Sequence, residues 1–334
     1  MEKWVLASRP EGTPVLENFR LEEAATPEPQ DGEIVVATDF LSLDPYMRGR
    51  MDDVKSYAPS VNLGDVMTGQ GVGNVVASRD PKFKEGDLVT GMTGWATHAA
   101  LSGAEVRHIS PEVPPTTALG VLGMPGFTAW AAMHTIGEPK EGETFVTAAA
   151  TGPVGSMAAQ IAKRKGLRTI AVAGGANKCD LATNTFGFDA AFDHRAHDVK
   201  SLRGALADAA PNGVDIYFEN VGGKVLHATL PLMNVAGRIP VIGTIAWYSG
   251  VDTSGPDMLP SVWRATLVKR LRIQGLIIFD HWHLFRQFIE EMAEPVARGE
   301  VAYVEDITQG LDQMPAAFLS LLSGGNTGKA IVAI

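Results

Sequence analysis

The chain has 334 residues, of which 45% are hydrophobic and 20% are charged, and its formal net charge is −10. This length predicts two domains, and the composition is ordinary for a soluble globular protein. The acidic balance disfavours nucleic acid or an anionic membrane as the main partner, because either would attract a basic surface. The one cysteine, Cys179, excludes an intrachain disulfide and a cysteine-based structural zinc site. With no apolar leader and no window of roughly 20 apolar residues, we predict a cytoplasmic protein.

The first 120 residues are rich in glycine and proline and contain short β-like runs. The strands predicted there are Glu33–Thr38, Gly71–Ser78 and Asp87–Gly91. Frequent turn signals between short strands favour a small barrel-like β module. From about residue 300 the chain returns to the same texture, with predicted strands Val301–Val304 and Lys329–Ile334. We therefore place this last part with the first module.

Between these parts, predicted strands and helices alternate. The predicted strands are Thr144–Ala149, Arg168–Ala173, Ala190–Phe192, Val214–Glu219, Arg238–Gly243 and Arg272–Phe279. The predicted helices are Ser156–Lys165, Lys178–Phe186, Asp198–Ala209, Gly223–Leu232 and His281–Ala297. This rhythm indicates an α/β fold with a doubly wound parallel sheet, the Rossmann arrangement.

The segment Phe145–Ser156, FVTAAATGPVGS, is the first candidate site. It reads as an apolar strand, a glycine turn and the start of a helix, an arrangement that binds phosphate through free backbone N–H groups. Gly152 and Gly155 match only the last two glycines of G-x-G-x-x-G, and Ala150 stands at the first position. A plain turn is the alternative, but the strand–turn–helix context favours a dinucleotide.

The turn after the second predicted strand indicates which dinucleotide binds. An NAD enzyme usually carries an acidic residue there for the ribose 2′-hydroxyl. Here the strand runs into Gly174-Gly175-Ala176-Asn177-Lys178, which has no carboxylate and ends in a lysine. A cation suits the 2′-phosphate of NADP, so the loop favours NADP. The alternative is that Lys178 is a solvated lysine at a helix start.

Motifs for metal or hydrolase chemistry are missing. Eight histidines are scattered along the chain without H-E-x-x-H, and no G-x-S-x-G nucleophile elbow is present. His281 and His283 form an H-x-H pair that would suit a metal only if both rings faced the same way, and we expect them at the start of an amphipathic helix instead. The chemistry must therefore come from the cofactor, with the protein orienting it.

Several longer runs carry a resemblance to a known family. They are Asp44–Met51 (DPYMRGRM), Leu122–Ala129 (LGMPGFTA), Tyr217–Gly223 (YFENVGG) and Asn326–Lys329 (NTGK). In these runs the chain resembles the zinc-independent medium-chain dehydrogenase/reductases. It is most similar to their prostaglandin reductase, leukotriene B4 12-hydroxydehydrogenase and alkenal or curcumin double-bond reductase group. The resemblance covers essentially the whole chain.

The resemblance implies a domain division and a metal-free site. It implies a GroES-like β-barrel catalytic domain in residues 1–124 and 300–334, and a Rossmann NADP-binding domain in residues 125–299. Zinc-dependent relatives carry a Gly-His-Glu ligand segment where this chain has Gly69-Gln70-Gly71, so no metal is expected. Family members are often dimers, and a homodimer is expected by analogy.

The resemblance also implies the cofactor contacts of this chain. Gly152, Pro153, Val154 and Gly155 would bind the pyrophosphate, with Gly174 and Lys178 at the 2′-phosphate. His194, where the family often has tyrosine, would lie on the adenosine side. The residues that would hold the nicotinamide half are Asn220, Gly243–Tyr248, Ile277–Phe279 and Asn326. Within Ile277–Phe279, the contacts would come from Ile277 and Phe279.

The implied reaction is NADPH-dependent reduction of the C=C bond of 2-alkenals and enones. Tyr248 matches the family's active-site tyrosine and is the first candidate to stabilise the enolate, and Tyr46 is the second. A ribose hydroxyl or water is the alternative donor. Arg48 and Arg50 would either attract a substrate carboxylate or form structural ion pairs. A quinone oxidoreductase and a non-enzymatic NADPH-binding protein remain the competing interpretations.

Overall fold

The computed structural model describes residues 1–251 and 257–334. The chain divides into two compact units, which are described separately. Unit 1 comprises residues 1–123 and 305–334, and unit 2 comprises residues 124–304. None of the helices in the described ranges combines the length and the apolar character needed to span a membrane.

Unit 1 is built mainly from antiparallel strands. Its elements are β1 (Glu2–Leu6), β2 (Phe19–Glu23), β3 (Glu33–Ser42), α1 (Tyr46–Arg50), β4 (Gly71–Ser78), β5 (Leu88–Gly91), β6 (His98–Ser102), β7 (Arg107–His108), β14 (Glu305–Gln309), α9 (Met314–Leu322) and β15 (Lys329–Ala333). The main sheet has the order β14-β15-β3-β4-β5-β7, and β6 pairs with β3. Short 3-10 helices cover Leu16–Asn18, Gly103–Glu105, Pro115–Leu119 and Leu311–Gln313.

Unit 2 is a parallel sheet with helical crossovers. Its elements are α2 (Met124–Ala132), β8 (Thr144–Ala148), α3 (Pro153–Arg164), β9 (Arg168–Ala173), α4 (Ala176–Asn184), β10 (Ala190–Asp193), α5 (Val199–Ala209), β11 (Val214–Phe218), α6 (Gly223–Thr229), β12 (Met233–Val241), α7 (Leu259–Lys269), β13 (Arg272–Gly275) and α8 (Phe285–Ala297). A π-helical turn covers Met133–Gly137, and 3-10 helices cover Leu230–Leu232, Ile245–Trp247 and Ile278–Leu284.

The strand order of unit 2 is β10-β9-β8-β11-β12-β13, and every pairing in it is parallel. This is the doubly wound order in which the winding reverses between β8 and β11. The core lies between the sheet and its helices: Val146, Ile170 and Val172 pack with Leu202 and Leu206 of α5. Ligands of such sheets bind beyond the carboxyl ends of the strands, next to the reversal.

Three predicted elements differ from the structure, and one of them is the strand predicted over Arg272–Phe279, which ends at Gly275. Val301–Val304 forms no strand, and the strand begins at Glu305. The Val301 N–H bonds back to Pro295 O at the end of α8, and the Ala302 N–H donates to Gln160 Oε1, so these groups are not available to a β ladder. The predicted helix from His281 begins only at Phe285, because the preceding residues form the 3-10 helix Ile278–Leu284.

Candidate active site

The glycine turn after β8 is shaped by a close helix–strand approach. Ala149 has a positive φ of 49°, and its carbonyl accepts the Gly152 N–H at 3.0 Å. A Cβ on Gly155 would lie only 2.7 Å from that same oxygen, so glycine alone fits there without displacement. Gly152 caps α3 without a side-chain bond, and Pro153 occupies the first turn. The first-turn N–H groups of α3, including that of Val154, are therefore open to an anion.

The turn after β9 is held by one carboxylate. Asp193 Oδ1 accepts the N–H groups of Gly175 and Arg195, each at 2.8 Å. These backbone bonds lower the pKa of Asp193, so the group is ionised near neutral pH. Gly175 has a φ of 96°, which only glycine adopts readily, and it caps α4 without a side chain.

A group of cations surrounds His194 at this turn. A Cβ on Gly174 would lie 3.1 Å from both His194 Nε2 and Arg195 Nε, so both side chains cover that glycine. Burial lowers the pKa of His194, and the charges of Lys224, Arg195 and Lys178 add to this effect. The imidazole is thus neutral at pH 7 and able to hydrogen-bond. Sequence reasoning missed Arg195, although its place directly after His194 was a usable signal.

Asn220 lies at the reversal of the sheet, two residues after the end of β11. Its Nδ2 donates to Thr147 Oγ1 and to Ala148 O, both at 3.3 Å, so the side chain is held against the end of β8. The neighbouring Glu219 was not predicted as a site residue. Its Oε1 accepts the N–H groups of Val221 and Gly222, each at 2.7 Å, which fixes the turn that carries Asn220.

Glu219 is a buried carboxyl with an incomplete set of partners. Only 3% of its surface is exposed, and its Oε2 is without a hydrogen bond among the described residues. Burial raises the pKa of Glu219, and the two backbone N–H groups and the neighbouring Tyr217 hydroxyl only partly oppose this. Its own carbonyl accepts the N–H groups of Ile242 and Gly243, so Glu219 also fixes the loop after β12.

The loop after β12 brings Tyr248 back towards this turn. A Cβ on Gly243 would lie 3.2 Å from Tyr248 Oη and 3.2 Å from Asn220 O. The Thr244 N–H donates to Tyr248 Oη at 3.4 Å. The structure therefore places Tyr248, Gly243 and Asn220 together.

Ile277 and Phe279 follow the last strand of the sheet. The preceding Leu276 N–H donates to Val241 O, which extends the pairing of β13 with β12. Ile277 is half-buried at the start of the 3-10 helix, and Phe279 within that helix is 52% exposed. An exposed aromatic ring near this edge is suited to cover a ligand.

The predicted residues of unit 1 lie on two segments. Tyr46 begins α1 and is half-buried, and burial followed by the charge of Asp44 raises its pKa well above the usual range. Arg50 Cζ lies 5.7 Å from the centre of the Tyr46 ring and 5.3 Å from that of Tyr57. Because its pKa is raised, Tyr46 keeps its proton at neutral pH.

On the second segment, Asn326 donates from Nδ2 to Gly328 O at 2.8 Å.

Arg48 has structural partners. It is 3% exposed and donates to Asp52 Oδ1 and Gly12 O, both at 2.7 Å. The structural interpretation of Arg48 is therefore favoured over recognition of a substrate. His281 and His283 are stacked with ring centres 6.5 Å apart, and no group of three His, Cys, Asp or Glu side chains suited to a metal occurs in the described part of the chain.

Together these features define a class of protein. A parallel sheet with a glycine turn after its first strand, a cationic turn after its second and a tyrosine near the reversal defines a dinucleotide-dependent oxidoreductase. Two family profiles match the chain: "N-terminal domain of oxidoreductase" over residues 2–109 and "Zinc-binding dehydrogenase" over residues 153–294.

Individual proteins match over almost the full length. The chain is 49% identical to the NADPH-dependent curcumin reductase of Escherichia coli, covering 99% of this chain and 96% of that protein. It is 41% identical to the 2-alkenal reductase (NADP(+)-dependent) of Nicotiana tabacum, covering 90% and 87% of the two chains. The crystal structure of CurA from Vibrio vulnificus in complex with NADPH superposes with a TM-score of 0.94 at 46% identity, covering 100% and 99%. The chain belongs to the medium-chain dehydrogenase/reductase family, in its group of alkenal and enone reductases, and the predicted family and fold class are confirmed.

Proposed function

We propose that this protein uses NADPH to reduce the C=C bond of α,β-unsaturated aldehydes and ketones. The relatives named as NADPH-dependent curcumin reductase and 2-alkenal reductase confirm the predicted reaction class and cofactor. The observation that carries the proposal is the near full-length identity of 49% to such a reductase. In this proposal unit 1 is the GroES-like catalytic domain, unit 2 is the NADP-binding domain, and the protein is cytoplasmic and needs no metal.

The residues of unit 2 fit the cofactor. The N-terminus of α3 at Gly152–Gly155 suits the pyrophosphate, because the Val154 and Gly155 N–H groups have no acceptor within the helix and Gly155 keeps the helix close to the strand. His194 and Arg195 cover Gly174, and Lys178 acts electrostatically on His194, so two cations and a neutral imidazole at this turn suit the 2′-phosphate. We assign Asn220, Gly243, Ile277 and Phe279 to the nicotinamide half, and we also assign to it Asn326, which belongs to unit 1.

The reaction requires stabilisation of charge on the substrate. NADPH, when bound, supplies a hydride to the carbon β to the carbonyl group. Negative charge then develops on the carbonyl oxygen, and an O–H donor aimed at that oxygen lowers the barrier. We assign this donor to Tyr248, whose hydroxyl is held beside Gly243 and Asn220. Tyr46 is the second candidate for this donor, and its raised pKa keeps it protonated.

A direct comparison of substrates tests the function. Purified protein is assayed for NADPH oxidation with a medium-chain 2-alkenal, an enone and a simple quinone. We expect faster turnover of the alkenal and the enone than of the quinone. Faster quinone turnover would favour a quinone oxidoreductase, and NADPH binding without turnover of any of the three would favour a binding protein.

We also propose that two copies pair through the β13 edge of unit 2. All four residues of β13 are exposed, and β13 is the last strand of the sheet order. On α7, which precedes β13 in the chain, Leu259, Trp263 and Leu267 are 55%, 63% and 78% exposed. Light scattering after size exclusion is expected to give twice the mass of the chain, and Leu267→Glu to give the monomer.

A further inference from the structure

Unit 1 contains a buried ion pair that the proposed reaction does not use. Lys329 on β15 is 2% exposed, and Asp44, two residues after β3, is 6% exposed. Lys329 Nζ donates to Asp44 Oδ1 at 2.9 Å and to Leu43 O at 2.7 Å. Burying two charges costs desolvation energy that a well-packed apolar pair would avoid, so stability alone does not explain the pair.

The pair is part of a larger buried polar cluster. Ser42 Oγ donates to Asp44 Oδ2. Glu305 lies opposite Lys329 in the β14–β15 register, and its Oε2 accepts the Thr116 hydroxyl at 2.8 Å. Burial lowers the pKa of Lys329, and the charges of Asp44 and Glu305 oppose that change. The cluster thus joins segments that are far apart in the sequence.

The pair also joins the two segments of unit 1 that carry proposed site residues. Asp44 O accepts the Met47 N–H at 3.1 Å, so Asp44 anchors the first turn of the helix that begins with Tyr46. Lys329 directly follows Gly328, whose carbonyl holds the Asn326 amide. The pair therefore connects the segment that carries Tyr46 to the segment that carries Asn326.

We propose that Lys329 and Asp44 are positioning residues, whose buried ion pair fixes Tyr46 and Asn326 in the geometry that the reductase reaction requires. The inference rests on the proposed function, because that function gives Tyr46 and Asn326 their roles. Neither partner of the pair touches substrate in this proposal. The pair links the DPYMRGRM and NTGK motifs, which are distant in sequence, through one contact between side chains.

A double-mutant cycle tests the proposal. Lys329→Met is made in the wild type and in the Tyr46→Phe and Asn326→Ala backgrounds, and kcat is measured with NADPH and a 2-alkenal. We expect a loss of at least about tenfold in the wild type and a clearly smaller loss in each background, because coupled residues are not additive. The same fold loss in all three backgrounds, or no loss in any, would overturn the proposal.

Two further variants separate positioning from stability. Thr116→Val removes a hydrogen bond of the same cluster on the Glu305 side, and we expect a lower unfolding temperature with kcat within about twofold of the wild type. An equal fall in kcat for Thr116→Val and Lys329→Met would contradict the proposal. If Lys329→Met does not fold, Asp44→Asn removes the charge of the pair but keeps an oxygen that can accept from Lys329 Nζ, and the same cycle is measured with that variant. Wild-type protein that fails to reduce 2-alkenals contradicts the proposed function instead, so the two failures are distinguishable.

Discussion

The candidate site in unit 2 has two ends, which we call the phosphate end and the nicotinamide end after their proposed roles, and they are built in different ways. At the phosphate end, the geometry is set mainly by the backbone. Gly155 permits the close approach of α3, and the caps Gly152 and Gly175 carry no side chains. At the nicotinamide end, side chains hold the geometry: the Glu219 carboxylate fixes two backbone N–H groups, and the Asn220 amide reaches the end of β8. We therefore expect cofactor binding at the phosphate end to be weakened by substitutions that add atoms. At the nicotinamide end, we expect activity to be lowered by substitutions that remove polar atoms.

The largest effect is expected at the nicotinamide end, from Tyr248→Phe. Removing the O–H donor should lower kcat for a 2-alkenal by about 100- to 1000-fold, the usual result of deleting one donor to a developing oxyanion. The NADPH dissociation constant, measured by fluorescence titration, should change little, because the ring remains. If kcat is unchanged, the donor is Tyr46, a ribose hydroxyl or water.

At the phosphate end, Gly155→Ala should give the next largest effect. The added methyl group would lie 2.7 Å from Ala149 O, so α3 must move away from the strand. We expect NADPH binding to weaken by about 10- to 100-fold, in line with overpacking costs of about 1–3 kcal/mol. Gly204→Ala is the matched control, since a Cβ on Gly204 in α5 meets nothing within 4 Å. That variant should bind NADPH normally, and equal weakening by both changes would contradict the packing argument.

A side chain also acts at the phosphate end, and Lys178→Ala measures how much. Losing one charge-assisted contact to the 2′-phosphate should weaken NADPH by about 10- to 100-fold and leave NADH nearly unchanged. Arg195→Ala should show the same selectivity, because the Arg195 guanidinium covers Gly174 in the same turn. Isothermal titration with both cofactors checks this. Equal effects on NADPH and NADH would rule out the 2′-phosphate role of either residue.

The contrast between local backbone features and contacts made by folding also explains which features could be predicted from the sequence. Strands Gly71–Ser78 and Arg168–Ala173 have the predicted bounds, because their apolar patterns are local. The glycine turn was also found from local pattern. The sequence did not predict that Glu219 and Lys329 stabilise the site, because their partners come close only in the folded chain. Glu219 accepts backbone N–H groups across a turn, and Lys329 pairs with a carboxylate from the other end of the chain.

Helix α7 was missed for a related reason. Leu259, Trp263 and Leu267 recur at helical spacing, yet all three are exposed rather than facing the core of unit 2. Val262 and Ala265 of the same helix pack against the core, so α7 has apolar residues on its exposed face as well and lacks the single apolar stripe that predicts an amphipathic helix. The proposed pairing of two copies supplies a reason for apolar residues on that face.

The smallest effect is expected from Glu219→Gln, and its sign is specific. Because burial raises the pKa of Glu219, the folded state holds its proton more tightly than the unfolded state. Its contribution to the free energy of unfolding is therefore full below the unfolded pKa and falls as the pH rises through the folded pKa. Glutamine does not titrate, so the variant should gain stability relative to the wild type as the pH rises. Its amide oxygen still accepts the two N–H groups, so kcat should remain within about fivefold.

Glu143→Gln provides a control of opposite sign in the same unit. Burial alone would raise the pKa of Glu143, but bonds from Arg238 and the Lys140 N–H outweigh it and lower the value. The wild type should then be more stable than this variant above the unfolded pKa, and the advantage should disappear as the pH falls through the folded pKa. Urea unfolding of the three proteins at a series of pH values compares the two slopes. Slopes of the same sign would mean that the pKa of Glu219 is lowered in the folded state, and that its hydrogen bonds outweigh the effect of burial.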